Sequence, residues 1–166
     1  EDLVEASKAS SGALNVELQP TDVNVLLSQI EGEYQERLAA CHLTLVTQPP
    51  APGTMIQADS RLLSRVMDNL VSNVCKYAME NTRVYVTAAV RDGQAVISFK
   101  NVSRDELNIS PDELMERFVR GDASRHSEGS GLGLSIARSL VQLQGGTFAL
   151  SIDADLFRAD IVFPLI

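Results

Sequence analysis

Apolar and polar positions change period several times along the chain, and the changes mark its elements. Over residues 13–19, Leu14, Val16 and Leu18 alternate with Asn15, Glu17 and Gln19, the pattern of a half-buried strand that Pro20 is expected to end. Thr21 or Asp22 offers an N-cap to a helix running to about residue 40, with Val25, Leu26, Ile30, Tyr34 and Leu38 on one face. Residues 43–47 read as a second strand, Pro49 to Gly53 as a rigid loop, and 55–58 as a brief extended piece. Asp59 or Ser60 caps the next helix, over 61–79, whose apolar residues are Leu63, Val66, Met67, Leu70, Val71 and Val74. Residues 83–90 and 94–99 alternate on either side of Asp92-Gly93, a hairpin signal, because these two residues accept the left-handed conformations of a two-residue turn. Residues 101–110 are polar and irregular, and Pro111 opens a short helix with Asp112 and Glu113 suited to its first turn. A helix over 132–143, a Gly145-Gly146 C-cap and a second hairpin, 147–152 with 157–163, complete the pattern. This order predicts an α+β fold, a two-layer α/β sandwich of helices on a largely antiparallel sheet. Before all of it, Leu3, Val4 and Ala6 form a helical stripe too short to stand alone, and Ser10-Ser11-Gly12 stops it.

Composition narrows the class. With 166 residues, the chain suits one domain with a proper core. A net charge of −8 without a Lys/Arg cluster argues against nucleic acid as a ligand. No apolar run approaches the ~18 residues of a membrane-spanning helix, and the first residues lack the basic and apolar regions of a signal peptide. Cys41 and Cys75, far apart and in no C-x-x-C pattern, are expected as free buried thiols in a reducing compartment, a metal or redox role being the alternative. His42 and His126 have no partner at ligand spacing and are expected at the surface.

Two stretches carry candidate chemistry. On the helix over 61–79, Asn69, Asn73 and Lys76 follow at i, i+4 and i+7 along one edge of the apolar face, with Tyr77 close by. Asparagine is a mediocre helix former, and amides flanking a core face need partners. They are either satisfied by local backbone or form a ligand wall, with an Asn oxygen on Mg²⁺ and Lys76 on phosphate. Mg²⁺ suits such a wall, because it takes few protein ligands and fills its shell with water and phosphate oxygens. The second stretch is Glu128-Gly-Ser-Gly-Leu-Gly-Leu-Ser135, where alternating glycines lead into a helix. Amides at a helix start, with the dipole behind them, make a phosphate site, although ordinary tight turns use the same glycines. The segment before it, 119–130, holds little to bury and reads as a mobile lid.

Taken together, these blocks resemble those of sensor histidine kinases. Asp68-Asn-Leu-Val-Ser-Asn-Val-Cys-Lys-Tyr77 resembles their N-box, Glu116-Arg-Phe-Val-Arg-Gly-Asp122 their F-box, and Gly129-Ser-Gly-Leu-Gly-Leu-Ser135 their second glycine box. Order and spacing also fit, over nearly the whole chain. The resemblance implies the catalytic ATP-binding domain of a bacterial two-component sensor kinase, in the gyrase/chaperone/kinase/mismatch-repair ATPase superfamily, with a Bergerat-type fold and a mobile lid. It implies ATP and Mg²⁺ as cofactors: Asn73 as metal ligand, Asn69 lining the pocket, Lys76 and Tyr77 facing phosphate and ribose. Arg120 would contact phosphate from the lid, Phe118 would pack the lid base or serve it, and Gly129, Ser130, Gly131, Leu132 and Gly133 would cradle the phosphates. Closure of the lid would exclude water and position the γ-phosphate for its acceptor.

Two departures qualify that picture. Where the family has a first glycine box, Asp-x-Gly-x-Gly, this chain has Lys100-Asn-Val-Ser-Arg104, so Asn101 stands in the place of the adenine-binding aspartate. Its amide oxygen accepts the same hydrogen bond without the charge that strengthens it. The acceptor histidine is also missing, since neither His42 nor His126 has the setting of a phosphoacceptor. Residues 1–12 are expected as the stub of the dimerisation/phosphoacceptor hairpin and 13–166 as the catalytic domain, which binds ATP but needs the hairpin for autophosphorylation. The resemblance implies as partners that hairpin, a response regulator and a second copy in a homodimer. The setting it implies is a cytoplasmic domain of a membrane-anchored kinase. The alternatives are an anti-sigma-type serine kinase and a degenerate domain serving docking or dimerisation.

Overall fold

The computed structural model describes residues 15–105 and 133–166. The expected helix stub, the helix opened by Pro111, the lid over 119–130, Phe118, Arg120 and the positions Gly129, Ser130, Gly131 and Leu132 lie outside the described residues.

A five-stranded sheet forms one layer. Its strands are β2 (Leu43–Gln48), β4 (Thr82–Arg91), β5 (Gln94–Val102), β6 (Thr147–Asp153) and β7 (Leu156–Pro164), in the order β2-β4-β5-β7-β6. All pairings are antiparallel except β2 with β4. Asp92 and Gly93 take φ of 53° and 74°, the left-handed pair the sequence predicts for the β4–β5 turn. Strand alternation buries one column per strand: Val84, Val86 and Ala88 on β4, Ala95, Ile97 and Phe99 on β5, and Phe157, Ala159, Ile161 and Phe163 on β7. On the opposite face of the sheet, Asp160 accepts hydrogen bonds from Ser98 Oγ at 2.6 Å and Arg158 Nε at 2.8 Å.

Among the described residues three helices form the other layer: α1 (Val23–Ala40), α2 (Ser60–Tyr77) and α3 (Gly133–Leu143). Asp22 caps α1 by accepting from the Asn24 N–H at 2.8 Å. Asp59 caps α2, and its buried carboxylate accepts from the N–H groups of Arg61, Leu62 and Glu17. Burial opposes ionisation of Asp59, yet those three donors and the Arg61 guanidinium outweigh it and hold its pKa below the usual carboxylate value. The stripe Leu63, Val66, Met67, Leu70, Val71 and Val74 of α2 is buried, as its period requires, and joins Leu134, Ile136, Ala137, Leu140 and Val141 of α3 in the core. At the end of α3, Gly145 takes φ of 87° as expected of a C-cap, and Gly146 passes so close to β7 that a Cβ there would stand 2.9 Å from the Val162 carbonyl oxygen.

Several expectations are corrected. Residues 15–18 belong to no strand; β1 is Gln19–Asp22 and pairs with β3 (Met55–Ala58) in a separate antiparallel ribbon. Pro20 lies inside β1 because a two-stranded ribbon has free edges, where a missing N–H costs nothing. On α1, Val25 is 51% exposed, while Val23 and Leu27 are buried with Leu26, Ile30, Tyr34 and Leu38. Asn101 and Val102 extend β5 beyond Phe99, since β7 offers them the partners Phe157 and Leu156. The largest correction concerns the cysteines: Cys41 and Cys75 are joined by a disulfide, with Cα atoms 5.7 Å apart.

Candidate functional site

Helix α2 and the end of β5 are fastened together. The Tyr77 carbonyl accepts from the Arg104 N–H at 2.8 Å, the Met79 N–H donates to the Val102 carbonyl at 2.8 Å, and Ala78 bridges Ser103. This puts the last turn of α2, with Lys76 and Tyr77, beside the strand end that carries Asn101. The start of α3 approaches the same helix further up, where a Cβ on Gly133 would lie 3.9 Å from the Asn69 carbonyl oxygen. Thus the edge of α2 that carries Asn69, Asn73, Lys76 and Tyr77 is met at its last turn by the chain leaving β5, just after Asn101, and further up by Gly133 at the start of α3. The first turn of α3 carries the positive end of its dipole.

Asn101 occupies an inward position, continuing the column Ala95, Ile97, Phe99, and is only 3% exposed. Its Oδ1 is buried without a hydrogen-bond partner among the described residues, and so is Asn69 Nδ2. Other buried polar groups are satisfied: Gln144 accepts from the Asp59 N–H and donates to the Leu140 carbonyl, and Thr54 Oγ1 donates to the Ala51 carbonyl. An unpaired buried amide atom costs about 1–3 kcal/mol. One such donor lies on the edge of α2 that carries Asn73 and Lys76 and one such acceptor at the end of β5, and buried atoms of this kind call for a partner.

Burial raises the pKa of the half-buried Tyr77, and the Arg104 guanidinium opposes the rise, so the phenol stays a neutral donor at physiological pH. Arg104 is the residue that sequence reasoning missed. The segment Lys100–Arg104 reads there as an absent glycine box, and the only signal of Arg104 is a cation just past a strand end. A small cleft lined by Leu26, Tyr34, Leu63 and Met67 lies on the opposite flank of α2 and holds none of these groups. Among the described residues no three His, Cys, Asp or Glu side chains could hold a metal ion. The donors present are amides, which fit a Mg²⁺ brought in by phosphates rather than a protein-caged ion.

Residues 58–161 match the family HATPase_c, the histidine kinase-, DNA gyrase B- and HSP90-like ATPases. The chain belongs to this family of ATPase domains, and the curated relatives that it matches are sensor histidine kinases. It is 32% identical over 152 residues to the signal transduction histidine-protein kinase BaeS of Escherichia coli (strain K12), covering 88% of this chain and 32% of BaeS. The chain therefore spans about a third of the length of that relative, and it covers 34% of the probable sensor protein PcoS of Escherichia coli. In fold it is similar to the nucleotide-free catalytic domain of the histidine kinase ThkA, with a TM-score of 0.73 at 21% identity over 89% of this chain and 95% of that one. Full-length ShkA in complex with AMPPNP gives a TM-score of 0.80 at 22% identity, over 99% of this chain and 34% of ShkA.

Proposed function

We propose that this domain binds Mg-ATP between α2, the end of β5 and the start of α3, and passes the γ-phosphate to a histidine on a separate helical hairpin in two-component signalling. The observation that carries the reading is the pair of unpaired buried amide atoms, Asn69 Nδ2 and Asn101 Oδ1. Asn101 Oδ1 accepts from the exocyclic amino group of adenine, and Asn69 donates to the nucleotide. Asn73 supplies an oxygen to Mg²⁺, which neutralises phosphate charge when bound. Lys76 meets phosphate and Tyr77 the ribose. The amides that begin α3, with Gly133, Gly129, Ser130, Gly131, Leu132 and Arg120, complete the phosphate cradle.

The AMPPNP bound to ShkA supports the nucleotide, and the names of the curated relatives support histidine as acceptor over the serine-kinase and docking-module alternatives. ThkA in complex with the response regulator TrrA supports a response regulator as partner. With these go a homodimer formed through the hairpin, residues 1–12 as its last piece, and a cytoplasmic position in a membrane-anchored protein.

The test is calorimetric titration with a non-hydrolysable ATP analogue, with and without Mg²⁺, on wild type and Asn73→Ala. Magnesium-dependent binding that weakens at least about tenfold in the variant is expected, since a charge-assisted contact is lost. Absence of binding at millimolar nucleotide would overturn the reading.

A further inference from the structure

The Cys41–Cys75 pair lies beside the proposed nucleotide site without belonging to it. Asp68, Ser72 and Cys75 follow at i, i+4 and i+7 and form the row of α2 that faces α1. From α1, Tyr34 Oη and Arg37 Nη1 each donate to Asp68 Oδ1 at 3.1 Å, and Arg37 Nη2 donates to Ser72 Oγ at 2.6 Å. Cys41, the C-cap of α1, closes this seam by its bond to Cys75. The adjacent row of the same helix is Asn69, Asn73 and Lys76, so the sulfur link sits on the turn that presents Lys76 and Tyr77. Across that turn, the backbone bonds from Arg104 and to Val102 hold the other side. The last turn of α2 is thereby gripped from two sides, and one grip is a covalent bond that can be made and broken. Both cysteines are only partly buried, which leaves them open to small thiol reagents.

A purely structural disulfide does not persist in a reducing compartment, where such bonds are transient and redox-responsive. We propose that Cys41 and Cys75 form a reversible dithiol–disulfide centre that sets nucleotide affinity, tighter when bonded and weaker when reduced. The coupling rests on the nucleotide reading above. In the oxidising direction, one cysteine thiolate attacks a low-molecular-weight disulfide RSSR, forming a mixed disulfide and releasing RS⁻. The second thiolate then displaces the remaining RS⁻. Two protein thiols and RSSR become one protein disulfide and two RSH: RSSR takes the two electrons, and the thiol protons end on the released RSH. Excess RSH, or a dithiol, reverses the exchange. Without the tether, binding must itself freeze the last turn of α2, which weakens it roughly three- to tenfold.

The experiment poises the 166-residue chain in glutathione buffers of graded ratio. Free thiols are trapped with iodoacetamide and counted by mass, and the affinity for Mg-AMPPNP is measured in each state. The expected result is two trapped thiols in reducing buffer and none in oxidising buffer, with the tighter affinity in the latter. Cys41→Ser/Cys75→Ser should bind like the reduced wild type in every buffer; should that variant not fold, reduced wild type supplies the same comparison. Failure of any buffer to form the intramolecular bond would overturn the centre, and equal affinity in both trapped states would overturn its coupling. Loss of binding in both states would instead remove the nucleotide reading and the coupling with it, while the thiol count still reports on the bond.

Discussion

Replacing Asn101 with leucine separates a ligand-binding role from a structural one, because the two predict opposite signs. The residues are close in volume, and the site is an inward position 3% exposed, flanked in its column by Phe99 and paired across to Phe157. If Oδ1 awaits a ligand, the free protein carries the cost of an unsatisfied buried acceptor, about 1–3 kcal/mol. Asn101→Leu removes that acceptor and fills its place with apolar atoms, so the free domain should gain about 1 kcal/mol and melt roughly 2–4 °C higher. Nucleotide binding should move the other way. The variant loses a neutral hydrogen bond and leaves the amino group of the base unpaired, which together weaken binding about tenfold or more. Asn101→Asp is the companion: a charge-assisted bond is roughly twice as strong, so affinity should rise about fivefold, while the buried carboxylate lowers the stability of the free protein. Thermal unfolding without ligand and calorimetric titration with Mg-AMPPNP measure the two quantities independently. An Asn101→Leu protein that melts lower than wild type and binds nucleotide unchanged would refute the argument, showing that the amide has a structural partner. No gain in affinity from Asn101→Asp would remove charge as the missing strength.

Two further outcomes test the frame around the site. Gly146→Ala should cost about 1–3 kcal/mol by overpacking, since the new Cβ would meet Val141 Cγ1 and the Val162 carbonyl oxygen at 2.9 Å and Phe163 Cε1 at 3.0 Å; an unchanged urea midpoint would contradict it. Asp59→Asn should cost about 1–2 kcal/mol at pH 7, because one of three backbone donors loses its acceptor. The folded pKa of Asp59 is depressed, so its contribution is present above the unfolded value of about 3.9 and is lost as pH falls through the folded one. Wild type should therefore lose stability more steeply than Asp59→Asn in acid, and parallel pH profiles would sink the assignment.

What the sequence discloses is whatever depends on near neighbours. The period of α2, its Asp59 cap, the Asp92-Gly93 turn and the Gly145 C-cap all follow from residues within one or two turns of each other, and all appear where expected. Partners far along the chain decide the rest. Nothing local says that the turn after α1 meets the last turn of α2, so a pair separated by 34 residues reads as two lone thiols. Nothing local says which strand Asn101 joins, so a polar stretch after Phe99 reads as loop until β7 supplies its partners. The face of α1 holds at Leu26, Ile30, Tyr34 and Leu38 and fails only at its start, where Val23 is buried and Val25 exposed, the Val23 N–H being bonded to the distant Thr54 carbonyl.

The site itself was legible as a set of residue types but not as a place, and the way Asn101 breaks its column explains the difference. Ala95, Ile97 and Phe99 obey the period of a strand with one buried face, and the next inward residue is an amide. On packing grounds that position calls for an apolar side chain, since burying an unpaired polar group is costly. The same fold gives both polar atoms of a buried amide a partner at Gln144, with one bond accepted and one donated. Among the described residues it leaves Asn69 Nδ2 and Asn101 Oδ1 unpaired, the one on the edge of α2 that α3 approaches and the other at the strand end fastened to the last turn of α2. A donor and an acceptor held ready in rigid elements lose little freedom when a ligand arrives, which is how an uncharged asparagine can serve where a stronger, charged group would otherwise be needed.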